Sequence, residues 1–97
     1  MRYTVEENGM TFERAKFTMS EFVEFEQGLL DLETSQPGLS AQANYVIPRG
    51  ARNIQRASGE AVEAGDIDWH TESLPLYREV IQALYPKVEA GTTTDES

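Results

Sequence analysis

Asn8-Gly9 is the feature that most narrows the folds open to this chain. It stands between two alternating apolar runs. A two-residue type I′ hairpin turn needs positive φ at both central positions, and this dipeptide tolerates that best. The spacing predicts a hairpin over residues 1–17, in which Glu7 faces Met10, Val5 faces Phe12 and Tyr3 faces Arg14. One face of the ribbon then carries Tyr3, Val5, Met10 and Phe12, and the other Thr4, Glu6, Thr11 and Glu13. A lone ribbon of this kind is not stable in water, so something must cover its apolar face.

The next segment supplies the cover. Thr18-Met19-Ser20-Glu21 spells a capping box, and Phe17 and Phe22 stand at the positions of a hydrophobic staple around it. A helix over residues 19–33 follows, with Phe22, Phe25, Leu29 and Leu32 on one face and Val23 and Leu30 widening that stripe. Gly28 inside a helix costs about 1 kcal/mol relative to alanine, and is expected to permit close packing on the hairpin. The outer face carries Glu21, Glu24 and Asp31, flanked by Glu26 and Glu33, with no base among them. Asp31 and Glu33 lie at the helix end whose dipole favours cations. Locally broken rules of this kind concentrate at functional sites, but the stronger reading of this face is an ordinary solvated acidic surface.

Further along, Pro37-Gly38 marks a loop, and residues 43–47 form a candidate third strand stopped by Pro48. Residues 50–57 read as a short helix or loop. As helix they place Arg49, Arg52 and Arg56 on one basic stripe at i, i+3 and i+7. The competing reading is a hairpin of residues 53–57 and 60–64 about Ser58-Gly59. An acidic connector holds Asp66, Asp68, Trp69 and His70. The last helix is expected over residues 73–85, with Ser73 as N-cap, Pro75 in its first turn and Pro86 ending it. The expected fold is α+β: an N-terminal antiparallel hairpin, with residues 43–47 as an optional third strand, packed on two amphipathic helices. It forms one domain over residues 1–90, with a disordered polar tail over 91–97.

Charge bounds the partners. The chain carries 17 acids and 8 bases in 97 residues, a formal charge of −9. It is also sorted: residues 34–59 hold three arginines and no acid. Nucleic acid and anionic membranes both require positive charge, so neither is an expected direct partner. A protein with a basic surface is, including a nucleic-acid-binding protein. Cysteine is absent, which excludes disulfides and thiolate metal sites. No run approaches the ~18 apolar residues of a membrane span. The N-terminal residues carry no apolar signal region, so a cytoplasmic location is expected. His70 is the single histidine, and neither a nucleophile elbow nor a phosphate loop is present. No enzyme and no cofactor are expected.

The partner-binding candidates are therefore Glu21, Glu24, Glu26, Asp31, Glu33, Asp66, Asp68 and Trp69. Tryptophan is concentrated at interface hot spots, although Trp69 fits a core anchor better. Arg49, Arg52 and Arg56 suit a clamp on an anion or an acidic segment. The stronger reading is that they fold back and neutralise the acidic helix. These features together point to a small acidic protein-binding module, in its sharpest form an inhibitor or nucleic-acid-mimicking decoy. One alternative is a structural or assembly subunit of a larger complex. Another is weak divalent-metal binding by Asp66, Asp68, His70 and Glu72, which share one side of an extended chain.

Overall fold

A computed structural model of the chain describes residues 2–86. Strands β1 (Arg2–Thr4), β2 (Thr11–Arg14) and β3 (Ala51–Gln55) form an antiparallel sheet in the order β1-β2-β3. Helices α1 (Met19–Ser35), α2 (Leu39–Gly50) and α3 (Leu74–Leu84) complete an α+β fold. The expected tail over 91–97 lies outside the described residues.

The hairpin is present in a register different from the expected one. Tyr3 faces Phe12 and Thr4 faces Thr11, a shift of two residues. The loop is Glu6–Gly9, closed by hydrogen bonds from Val5 N to Met10 O (2.7 Å) and from Gly9 N to Val5 O (2.8 Å). Gly9 alone in this turn has positive φ, +75°. Asn8 works through its side chain instead: Oδ1 accepts from Met10 N at 3.0 Å, and Nδ2 donates to Thr71 O at 2.8 Å. That second bond ties the turn to the segment leading into α3. A slip of two residues returns every side chain to its own face. Val5, Met10 and Phe12 are accordingly buried, as the alternation requires.

Both arms of the capping box form. Glu21 N donates to Thr18 Oγ1 at 3.2 Å, and Thr18 N donates to Glu21 Oε1 at 2.9 Å. The Phe17 and Phe22 rings meet edge to face with centroids 5.4 Å apart. Gly28 does allow a close approach, but to α2 rather than to the hairpin. A Cβ there would strike the Tyr45 hydroxyl and lie 2.9 Å from Cζ. Tyr45 is pinned in place, since its hydroxyl donates to Phe25 O at 3.0 Å and its ring stacks on Phe25.

Residues 43–47 are helical rather than a third strand. Ala43, Val46, Ile47 and Gly50 are all buried and fall at i, i+3, i+4 and i+7, the period of one helix face. Pro48 lies in the last turn of α2 instead of ending a strand. The third strand is β3, within the stretch expected to be helix or loop. It is irregular. Ala51 and Ile54 are buried while Arg52 and Asn53 between them are exposed. The ladder to β2 slips between Thr11 and Glu13, and Asn53 adopts φ +52°, a region asparagine tolerates better than most residues. Its Nδ2 donates to Glu13 Oε1 at 3.0 Å, beside the Arg2–Glu13 ion pair, also at 3.0 Å. Beyond β3 the chain turns about Gly59 and returns, with Val62 N bonded to Ile54 O at 3.0 Å. This is close to the competing hairpin reading.

Helix α3 starts at Leu74, next to the expected start, but Ser73 is itself in helical conformation and its side chain makes no cap bond. A 3₁₀ turn (Ala64–Asp66) leads to a π-helical turn (Trp69–Ser73) that runs directly into α3. Asp68 is the cap: its Oδ2 accepts from Thr71 N and Thr71 Oγ1, each at 2.8 Å. Phe12, Val46, Leu76 and Val80 are fully enclosed in one core shared by the sheet, α2 and α3, to which α1 contributes Phe25. Among the described residues no helix is long and apolar enough to cross a membrane.

Candidate acidic docking surface

Helix α1 lies at the margin of this core. Of its 17 residues only Phe25 is buried. At about 1.5 Å per residue it presents a rod roughly 25 Å long, held along one side. Phe22, Leu29 and Phe25 anchor it. Phe22 packs on Tyr85 and Phe25 on Tyr45, with centroids 5.4 and 5.5 Å apart. The remaining circumference faces outward and carries the acids.

Glu24, Asp31 and Glu33 are exposed. Glu21 is exposed too, but one of its oxygens serves the capping box. Glu26 is half-buried and accepts a 2.7 Å hydrogen bond from the Tyr85 hydroxyl. Burial first, and that bond to an anionic acceptor second, push the Tyr85 phenol up to about 12. Burial and the nearby charge of Glu33 likewise raise Tyr77. Among the described residues, none of the five α1 carboxylates makes an ion pair; the pairs are Arg2–Glu13, Arg56–Glu60, Arg56–Glu72 and Arg78–Glu7.

The arginines do not share one stripe, because they fall on α2, on β3 and beyond it. Arg49 lies 4.0 Å over the Tyr45 ring and donates to Tyr45 O at 3.0 Å. Arg52 Nη1 reaches Pro48 O at 2.9 Å and Arg49 O at 3.3 Å. The two cations thus serve the carbonyl end of α2, where orphan acceptors and the dipole both favour positive charge. Arg56 turns the other way and holds Glu72 at 2.7 Å and Glu60 at 3.2 Å. Lys16, Arg49 and Arg52 also line a cleft of about 440 Å³ with Glu21 and Glu24. Among the described residues, internal compensation therefore reaches only the first half of α1, across that cleft and without an ion pair. Glu26, Asp31 and Glu33 have no cation facing them there.

Asp66, Asp68 and Trp69 sit elsewhere. Tyr45 on one side of α2 meets α1, whereas Ala43, Asn44 and Ile47 line a separate cleft with Ile67 and Trp69. Trp69 is half-buried against the core. Asp66 is exposed, and Asp68 is committed to its cap. The turns at Ala64–Asp66 and Trp69–Ser73 remove the extended geometry that would align Asp66, Asp68, His70 and Glu72. Among the described residues no three histidine, aspartate or glutamate side chains form a metal-binding group.

The Arg56–Glu72–Asp68 lock carries a pH prediction. The Arg56 guanidinium and the Asp68 backbone N–H hold Glu72 below its ordinary value of 4.5. Hydrogen bonds from Thr71 hold Asp68 below 3.8. Both groups bind protons more readily unfolded than folded, so unfolding takes up protons in acid. Their contribution is complete above the ordinary values and is lost as pH falls through the lower folded ones. Thermal unfolding followed by Trp69 fluorescence should show a falling Tm below about pH 4.5, and Glu72→Gln should flatten that part of the curve.

Three residues of the exposed face escape a reading of the sequence. Met19, Val23 and Leu30 are 81 %, 55 % and 59 % exposed, although Val23 and Leu30 were expected to widen the core stripe. The available signal was angular. At about 100° per residue the three lie within about 40° of one another and far from Phe25. Lys16 in the basic cleft was also missed, and nothing local to it indicates that role.

Compared with known proteins, the chain matches no family model, no curated protein and no solved structure.

Proposed function

We propose that this protein is a small acidic protein-binding module that docks through the outer face of α1 on a basic surface of a partner protein. The observation that carries the reading is the set of five α1 carboxylates with no ion pair among the described residues, on a helix with one buried residue. Three bases are engaged elsewhere, since Arg2, Arg56 and Arg78 pair with other carboxylates; Arg52 lines the cleft with Glu21 and Glu24 but gives its hydrogen bonds to backbone carbonyls. Uncompensated charge on a rigid element steers association and selects partners of opposite sign. A partner that uses its basic surface to hold nucleic acid would be blocked, which makes the module an inhibitor or decoy in a cytoplasmic setting. The test is capture from the native host at low salt with the wild-type chain and with Glu24→Lys/Asp31→Lys. A specific partner held by the first and lost by the second is expected. Equal recovery by both would remove the acidic-face reading.

A further inference from the structure

We infer that the partner presents a basic amphipathic helix, which lies along α1 with its apolar side on Met19, Val23 and Leu30. This rests on the acidic docking surface proposed above and names what fits it. Single exposed apolar residues are ordinary on protein surfaces. Three on one stripe of one helix are a different case. Met19, Val23 and Leu30 fall at i, i+4 and i+11, a ridge about 16 Å long at 1.5 Å per residue. Glu24 and Asp31 run along one flank of that ridge, and Glu26 and Glu33 along the other.

The ridge continues sideways. Tyr85, 43 % exposed, is held beside it by its bond to Glu26 and its contact with Phe22. Two clefts flank the ridge on the α3 side. One of about 590 Å³ is lined by Met19, Phe22 and Leu84 but also by the cations Arg14 and Lys16; one of about 230 Å³, lined by Leu29, Leu30, Glu26, Glu33 and Tyr85, carries acids alone and is the better seat for a basic flank. Apolar contacts spaced along one helix face, with carboxylates on both flanks, match a helix whose apolar stripe is bordered by lysine or arginine.

Charge decides among occupants. A second copy of α1 would set five carboxylates against five, with no base in either helix, and like charges at such spacing repel. Residues 87–97 of this chain carry three acids and one base, so charge disfavours them as well. A surface that mimicked nucleic acid by charge alone would have no use for an apolar ridge between its acids.

The test uses two synthetic peptides titrated into the full chain at low salt. One is helical with a leucine stripe bordered by lysines; the other has the same lysines with serine in place of leucine. The leucine peptide is expected to bind at least tenfold more tightly. Val23→Ser/Leu30→Ser should reduce it to the level of the serine peptide and leave the serine peptide unchanged. Both substituted side chains are exposed, and Trp69 fluorescence reports that the core persists. Equal binding of the two peptides, with loss only in Glu24→Lys/Asp31→Lys, would overturn the helix inference and leave the acidic surface standing. No binding of either peptide would overturn both. A dimer in sedimentation that Val23→Ser/Leu30→Ser dissociates would assign the ridge to a second copy and overturn the inference.

Discussion

Phe12→Ala is expected to lower the stability of the fold by about 3–5 kcal/mol, the range for removing a buried phenylalanine ring. Phe12 lies on the central strand, has no solvent exposure and stacks on Tyr3 with centroids 5.3 Å apart. Its side chain joins the sheet to the core it shares with α2 and α3. Strand β2 is hydrogen-bonded on both sides, so it has little freedom to collapse into the cavity. Domains of this kind have about 5–15 kcal/mol in total, which makes the change a large fraction of the whole. Urea denaturation followed by Trp69 fluorescence measures it. A loss below about 1 kcal/mol would mean that the sheet is not packed as described.

The second large effect is on binding. Glu24→Lys/Asp31→Lys changes the charge of the exposed side of α1 by four units without touching a buried group. Electrostatic steering raises association rates by about 10- to 1,000-fold. The variant should therefore lose tenfold or more in affinity for a basic partner at low salt, chiefly through slower association. The difference should shrink as salt rises, because the screening length falls from about 10 Å at 0.1 M to about 3 Å at 1 M. Glu6→Lys/Glu63→Lys makes the same change of charge at two exposed residues outside α1. It should cost much less. Equal losses in the two variants would mean that net charge, rather than the α1 surface, governs the encounter.

What was legible in the sequence and what was not have physical causes. The hairpin and α1 announce themselves through local chemistry: Asn8-Gly9, the Thr18–Glu21 box and the Phe17–Phe22 staple act within a few residues of one another. The hairpin register was harder. Asn8 satisfies Met10 N and also reaches Thr71, a contact that only the finished fold supplies. Helix α2 was hidden by Pro48 and by the β-branched Val46 and Ile47, although positions 43, 46, 47 and 50 keep the helical period. The bulge at Asn53 points two successive β3 residues outward and erases the alternation that would mark a strand. On α1 the five acids were legible as a surface. The apolar ridge between them was not, since Val23 and Leu30 look like core residues until Phe25 fixes which way the helix faces.

The most direct test of the α1 surface is carbodiimide footprinting of the captured complex, read residue by residue by mass spectrometry. Glu24, Asp31 and Glu33 are exposed in the free chain, as are Glu6 and Glu63. The expected result is protection of Glu24, Asp31 and Glu33 on binding, with Glu6 and Glu63 labelled as before. Unchanged labelling of the three α1 carboxylates, with protection appearing elsewhere, would contradict a function carried by α1.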